Sequence, residues 1–140
     1  MEKRDYLLRE IEKIGLLLRS ILNRIIGREE NLAITIETQF GETKDMLFNE
    51  IGFDFDKFIA LDQSASKDYI HQFKGFNSVN LELLAEYLYA IGVNLKPDQK
   101  QVFLKKALEL YELCNQTDKT FSFEREAKIK EIENDLLSTM

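Results

Sequence analysis

Apolar residues recur along the first 26 positions with a helical rhythm. Leu7, Ile11, Ile14, Leu18, Ile21 and Ile25 stand at alternating spacings of four and three, which is the a/d seam of a heptad pattern. Leu8, Leu17 and Leu22 widen that stripe beyond what a simple two-helix seam uses. Lys13, Arg19 and Arg24 help form the polar side, and Gly27 is the expected C-cap, because glycine accepts the left-handed conformation there. A helix from Glu2 to Ile26 would be roughly 37 Å long at about 1.5 Å per residue. That is longer than a compact domain of this size requires.

The pattern stays helical beyond this segment. Ala33, Ile36, Phe40, Leu47 and Ile51 predict a second helix over Leu32 to Ile51, ended by Gly52. The β-branched run Ile34-Thr35-Ile36 would also suit a short strand, but no second strand is available to pair with it. Asp54 to Leu61 predicts a short helix with Phe55, Phe58, Ile59 and Leu61 inward. Gln63 to Ser66 is polar and is the expected loop, followed by a short helix from Lys67 to Phe73 that ends at Gly75. Asn77 or Ser78 then caps a helix through Ile91, with Leu81, Leu84, Ala85, Leu88 and Ile91 as its stripe and Gly92 as its stop. Pro97 suits a first helical turn and opens a helix to Cys114, with Phe103, Ala107, Leu110, Tyr111 and Cys114 on one face. Asn115 to Thr120 is the expected turn. Ser122 or a neighbour opens the last helix, where Glu124 and Glu126 complement the positive helix end and Ile129, Ile132 and Leu136 form the stripe.

The expected fold is all-α, with five or six helices in a single helical domain over residues 1–140. A long N-terminal amphipathic helix (1–27) is a possible oligomerisation arm. Central helices occupy 28–76, and antiparallel helical hairpins occupy 77–140. At 140 residues the chain is long enough to bury a core without disulfide or metal staples.

Composition narrows the chemistry. The only cysteine is Cys114 and the only histidine is His71. An intramolecular disulfide is impossible, and a structural zinc site, which needs about four such ligands, is excluded. So are CxxC redox sites and c-type haem attachment. The lone cysteine fits a reducing compartment, and a cytoplasmic location is expected. No signal peptide is expected, since Glu2, Asp5, Glu10, Glu12, Lys13 and Arg19 interrupt the apolar start. The run Ile14 to Leu18 is far short of the ~20 residues that span a bilayer.

The net charge of −6 hides an asymmetry. Residues 1–28 carry +3 and residues 29–140 carry −9. Bulk nucleic-acid binding is not expected of so acidic a chain, because it requires lysine and arginine to replace phosphate counterions. The basic part is also the helix with the widest apolar face.

Two stretches carry a resemblance. Leu81, Leu84, Ala85 and Leu88, with Ala107-x-x-x-Tyr111-x-x-Cys114, resemble a degenerate tetratricopeptide-like array, in which small residues let antiparallel helices approach and an aromatic fills the adjoining gap. The two small positions lie 22 residues apart here, whereas the repeat places them about 12 apart. The whole chain is also similar to an uncharacterised bacterial family of small all-helical proteins. The similarity rests on Asp5-Tyr6-Leu7-Leu8-Arg9-Glu10-Ile11-Glu12 and on Ala107-Leu108-Glu109-Leu110-Tyr111. It implies a helical fold with a tetratricopeptide-like C-terminal half and brings no activity with it.

Candidate reacting groups are few. Cys114 with His71 is the one Cys/His combination, but Cys114 falls on an apolar stripe, where cysteine behaves as a small hydrophobe. Asp54, Asp56 and Asp62 form the densest acidic cluster. They read either as oxygen ligands for Mg²⁺ or as helix caps, and no calcium-loop motif surrounds them. No Gly-rich phosphate loop, H-E-x-x-H or G-x-S-x-G motif occurs. No cofactor, metal or catalytic residue is expected.

These observations predict a non-catalytic interaction or scaffold protein. Its expected interface is Leu7, Ile11, Ile14, Leu18, Ile21 and Ile25, used for homodimerisation or for docking a protein partner. A second possibility is that this helix is core. Others are a small-molecule- or metal-dependent enzyme built on the Asp54, Asp56 and Asp62 cluster with His71, or peripheral membrane association through the first helix. Tyr87, Tyr89 and Phe121 could line a peptide groove or act as core filler.

Overall fold

A computed structural model describes residues 2–26, 33–119 and 122–139. Among them are seven helices and no strand: α1 (Glu2–Ile26), α2 (Ala33–Ile51), α3 (Phe55–Ala60), α4 (Gln63–His71), α5 (Ser78–Gly92), α6 (Pro97–Asp118) and α7 (Phe123–Thr139). The count exceeds the expected five or six. Gly27, Leu32, Thr120 and Phe121, to which expectations were attached, lie outside the described residues.

Local chemistry sets most boundaries. Gly52 adopts φ +75° after α2. Its amide bonds to the Phe48 carbonyl at 2.9 Å, the 5→1 bond of an αL cap that the positive φ of glycine makes possible, and the amide of Phe53 reaches the Leu47 carbonyl at 3.2 Å. Asp54 caps α3, Asn77 caps α5 and Ser122 caps α7, each through a side-chain oxygen that accepts a backbone N–H.

Two expectations are corrected. Gln63 to Ser66 is the first turn of α4 and not a loop, because Asp62 Oδ1 accepts the Ala65 amide at 2.8 Å and nucleates the helix there. Asn115 to Asp118 continue α6. That helix ends only at Lys119, in the left-handed conformation at φ 56°.

Helix α5 is the axis of the fold. It packs on α6 along one side and on α1 along another, with α2 against α1 and α7 against α6. Leu84, Ala85, Tyr87, Leu88 and Ile91 are completely buried, as a helix enclosed by neighbours should be. The Tyr87 hydroxyl shares a hydrogen bond with Thr43 of α2.

Aromatic rings fill the space between α2, α3, α4 and α6. Phe55 meets Phe40 edge-on at 5.4 Å and Tyr87 edge-on at 5.6 Å. Phe53 contacts Phe58, Tyr69, Phe73 and Phe76. Such edge and tilted contacts add about 0.5–1.5 kcal/mol each beyond area burial.

The α1–α5 crossing depends on close approach. Asn80 of α5 donates its side-chain amide to the Ile11 carbonyl of α1 at 2.9 Å and to the Gly75 carbonyl at 2.7 Å. Gly75 lies so near α1 that a Cβ there would sit 2.6 Å from the Glu10 carbonyl oxygen.

A buried arginine ties α7 to the body. Arg125 Nε donates to Glu82 of α5, Nη1 to Asn115 at 2.9 Å, and Nη2 to Asp118 at 2.7 Å. Around it, Ile132 is fully buried while Ile129 and Leu136 are only partly so.

Candidate interaction surface on the first helix

The stripe of α1 divides into two parts. Ile14, Leu18, Ile21, Leu22 and Ile25 are buried in the chain's own core. Of the six residues expected as an interface, Ile14, Leu18, Ile21 and Ile25 are therefore occupied by intramolecular packing. Ile11 is half-buried at the boundary, and Leu7 is 40% exposed. Beside Leu7, Tyr6 and Leu8 are 57% and 55% exposed. Thus the apolar seam continues past the edge of the body for the first turns of α1, with no covering element among the described residues.

Concavities flank this end of the helix. A groove of about 690 Å³ is lined by Tyr6, Leu7, Glu10 and Ile14 from α1 and by Phe73 and Lys74 beyond α4. A second, of about 640 Å³, runs past Arg9, Lys13, Leu16 and Leu17 toward Glu50 of α2. Leu16, 61% exposed, stands on its rim. Both signs of charge border the exposed apolar residues: Arg4, Arg9 and Lys13 against Asp5, Glu10 and Glu12.

The acidic cluster does not converge. Asp54 caps α3 and Asp62 caps α4, while Asp56 receives Lys44 Nζ at 3.2 Å. No group of three or more His, Cys, Asp or Glu side chains suited to holding a metal occurs among the described residues. His71 is exposed on α4. Cys114 is buried in α6, with Sγ donating to the Ser78 carbonyl at 3.4 Å. Burial is the main cause that pushes its thiol up to about 12, so the reactive thiolate is disfavoured. Of the expected groove aromatics, Tyr87 is core and Tyr89 is half-buried.

One buried cation has no obvious precursor in the sequence pattern. Lys106 of α6 is 3% exposed and donates to the Leu61 carbonyl, to Ser66 and, at 3.5 Å, to Glu109. It also lies 5.0 Å from the centroid of the Phe58 ring. All three ammonium protons thus have acceptors, which is how a buried lysine is tolerated. Lys106 stands three residues after Phe103 and four before Leu110, on the inward face, and that spacing is the signal the sequence holds.

Ser66, Phe58 and Glu109 also line a cleft of about 320 Å³ between α4 and α6. Burial raises the Glu109 carboxyl above its ordinary 4.5, Lys106 opposes the rise, and Glu112 and Asp62 add to it. A raised carboxyl keeps its proton longer in the folded chain, so its contribution to stability falls as pH rises from about 4.5 through the raised value. Glu109→Gln is therefore expected to gain stability relative to the parent between pH 4 and pH 7. Urea unfolding at the two pH values measures this, and an equal difference at both would refute it.

No helix of the described residues is long and apolar enough to cross a membrane. Comparisons with family models, with curated proteins and with solved structures found no match to this chain.

Proposed function

We propose that this chain is a non-catalytic interaction protein that pairs with a second copy through the first turns of α1. The observation that carries the reading is the continuation of one apolar seam from the buried Ile14 to the exposed Leu7, with Tyr6 and Leu8 beside it. Contiguous apolar surface of this kind marks a contact site. The mixed charges around it suit another copy of the same helix, where each sign can meet its opposite. A uniformly anionic membrane would instead be opposed by Asp5, Glu10 and Glu12.

The same reading takes α5 and α6 as a tetratricopeptide-like hairpin in a cytoplasmic scaffold, of the kind found in small helical bacterial proteins. Full burial of Ala85 and Ala107 supports close helix packing there.

The test uses Leu7→Glu with Leu8→Glu. Both side chains are exposed in the single chain, so unfolding stability should change by no more than about 0.5 kcal/mol per site. Light scattering on the parent chain should give twice the monomer mass at high micromolar concentration, and the double variant should give the monomer mass. A parent that is monomeric under those conditions rejects the proposal, and so does a double variant that remains a dimer. Sedimentation with anionic vesicles at low salt is expected to leave the protein in the supernatant.

A further inference from the structure

Helix α5 turns a second face toward α7. Glu86, Tyr89, Ala90 and Val93 follow one another at helical spacing on it, and with Tyr111 of α6 and Lys128 of α7 they line a pocket of about 350 Å³. Its walls are two aromatic rings and a short aliphatic strip, and its charged members are one carboxylate and one ammonium.

The carboxylates nearby are committed elsewhere, with one exception. Arg125 holds Glu82 and Asp118. The single hydroxyl proton of Tyr89 has Asp135 at 2.6 Å and Glu131 at 3.0 Å as its acceptors. Lys128 pairs with Glu131 at 3.7 Å. Glu86 forms neither an ion pair nor a side-chain hydrogen bond with any described residue. Burial is the main cause that raises its carboxyl, Lys128 draws it down, and Glu82 raises it further. A partly desolvated carboxylate without a contacting counter-ion attracts a cation.

The rings select the kind of cation. Lys128 Nζ already lies 5.8 Å from the centroid of the Tyr89 ring, within the range of a cation–π contact. Lys128 is tethered to α7, half-exposed, and shared with Glu131. It reaches the ring without making an ion pair with Glu86. The chain thus holds an alkylammonium of its own at the mouth of a pocket whose carboxylate stays uncapped.

We propose that this pocket binds a primary alkylammonium group, the head of a partner's lysine side chain or of a free aliphatic amine. The ammonium would sit between Glu86 and the Tyr89 ring, its methylenes would lie along Ala90 and Val93, and Lys128 would be the internal competitor that it displaces. The acidic balance of residues 29–140 favours approach of such ligands.

The experiment is a titration followed by backbone amide NMR shifts, with n-butylammonium chloride as the probe and sodium chloride at equal ionic strength as the control. Saturable shifts confined to residues 86–93, Tyr111 and Lys128 are expected in the millimolar range. Lys128→Ala should tighten binding by about threefold or more by removing the competitor, and Glu86→Gln should weaken it by about tenfold. Lys128 is exposed enough that its variant should fold, which keeps the test decisive if Glu86→Gln does not. The neutral analogue 1-butanol should give no saturable shifts. Acetyl-lysine-N-methylamide (its side-chain ammonium intact) at least as tight as n-butylammonium identifies a partner lysine as the source, and weaker binding identifies a free amine. Shifts matched by sodium chloride or by 1-butanol overturn the proposal, as does an affinity unchanged in Lys128→Ala.

Discussion

Replacing Ile14 and Ile21 together by glutamate is expected to unfold the chain, not merely to separate subunits. Both side chains are buried on α1 against the body. Each substitution removes a buried aliphatic side chain, costing about 2–5 kcal/mol, and adds a charge that must stay solvated or protonated. The two aliphatic losses alone come to about 4–10 kcal/mol, comparable to the whole stability of a domain this size, about 5–15 kcal/mol. Far-ultraviolet circular dichroism should show loss of helix at 25 °C. Retention of a cooperative thermal transition close to the parent's would mean that α1 is not integral to the core. Contrast with Leu7→Glu and Leu8→Glu then separates core from contact surface on one helix.

Substitution of Gly75 by alanine is expected to have the next largest effect. The demand is for space. The added Cβ would meet the Glu10 carbonyl oxygen at 2.6 Å and Ile14 Cδ1 at 2.6 Å. A side-chain tip can move, but the Glu10 carbonyl belongs to the helix backbone, so α1 itself must shift. Overpacking of this kind costs about 1–3 kcal/mol, and the shift would also strain the Asn80 bonds to Ile11 and Gly75. Chemical denaturation should show a lower midpoint with an unchanged slope. An unaltered midpoint would mean that the loop withdraws from α1 freely. Gly75→Val, with a larger side chain, should lower the midpoint further.

Much of this fold was legible along the chain, for identifiable reasons. The bounds of α1 follow from its long heptad rhythm, and the caps at Asp54, Asn77 and Ser122 follow from side-chain oxygens placed before apolar runs. Gln63 to Ser66 misled because polarity was read as a loop, while the deciding feature was the carboxylate of Asp62 one residue earlier. The candidate surface was half legible. Periodicity shows that Leu7 through Ile25 share a face, but not how far along it α5 reaches, because that depends on where α5 crosses. The pocket of α5, α6 and α7 was less legible. Tyr89 stands out as an aromatic, but no spacing in the sequence distinguishes Glu86; only the fold places Tyr111 and Lys128 beside it.

The Arg125 clamp decides how firmly that pocket's internal competitor is held. Helix α7 contributes one fully buried aliphatic side chain, Ile132, with Ile129 and Leu136 partly buried, and polar contacts of Arg125 with Glu82, Asn115 and Asp118 and of Tyr89 with Asp135 and Glu131 complete its anchoring. A helix with one fully buried aliphatic side chain is expected to open at a lower free energy than the enclosed α5, and amide hydrogen exchange reads that opening directly. When α7 leaves, it takes Lys128, the one lining side chain it supplies, while Glu86, Tyr89 and Tyr111 stay with α5 and α6. An ammonium ligand that displaces Lys128 is then linked to α7 opening, since binding stabilises the state it prefers by RT ln(1 + [L]/Kd). Occupancy would be written into the exchange rates of α7 amides, far along the helix from the ligand itself.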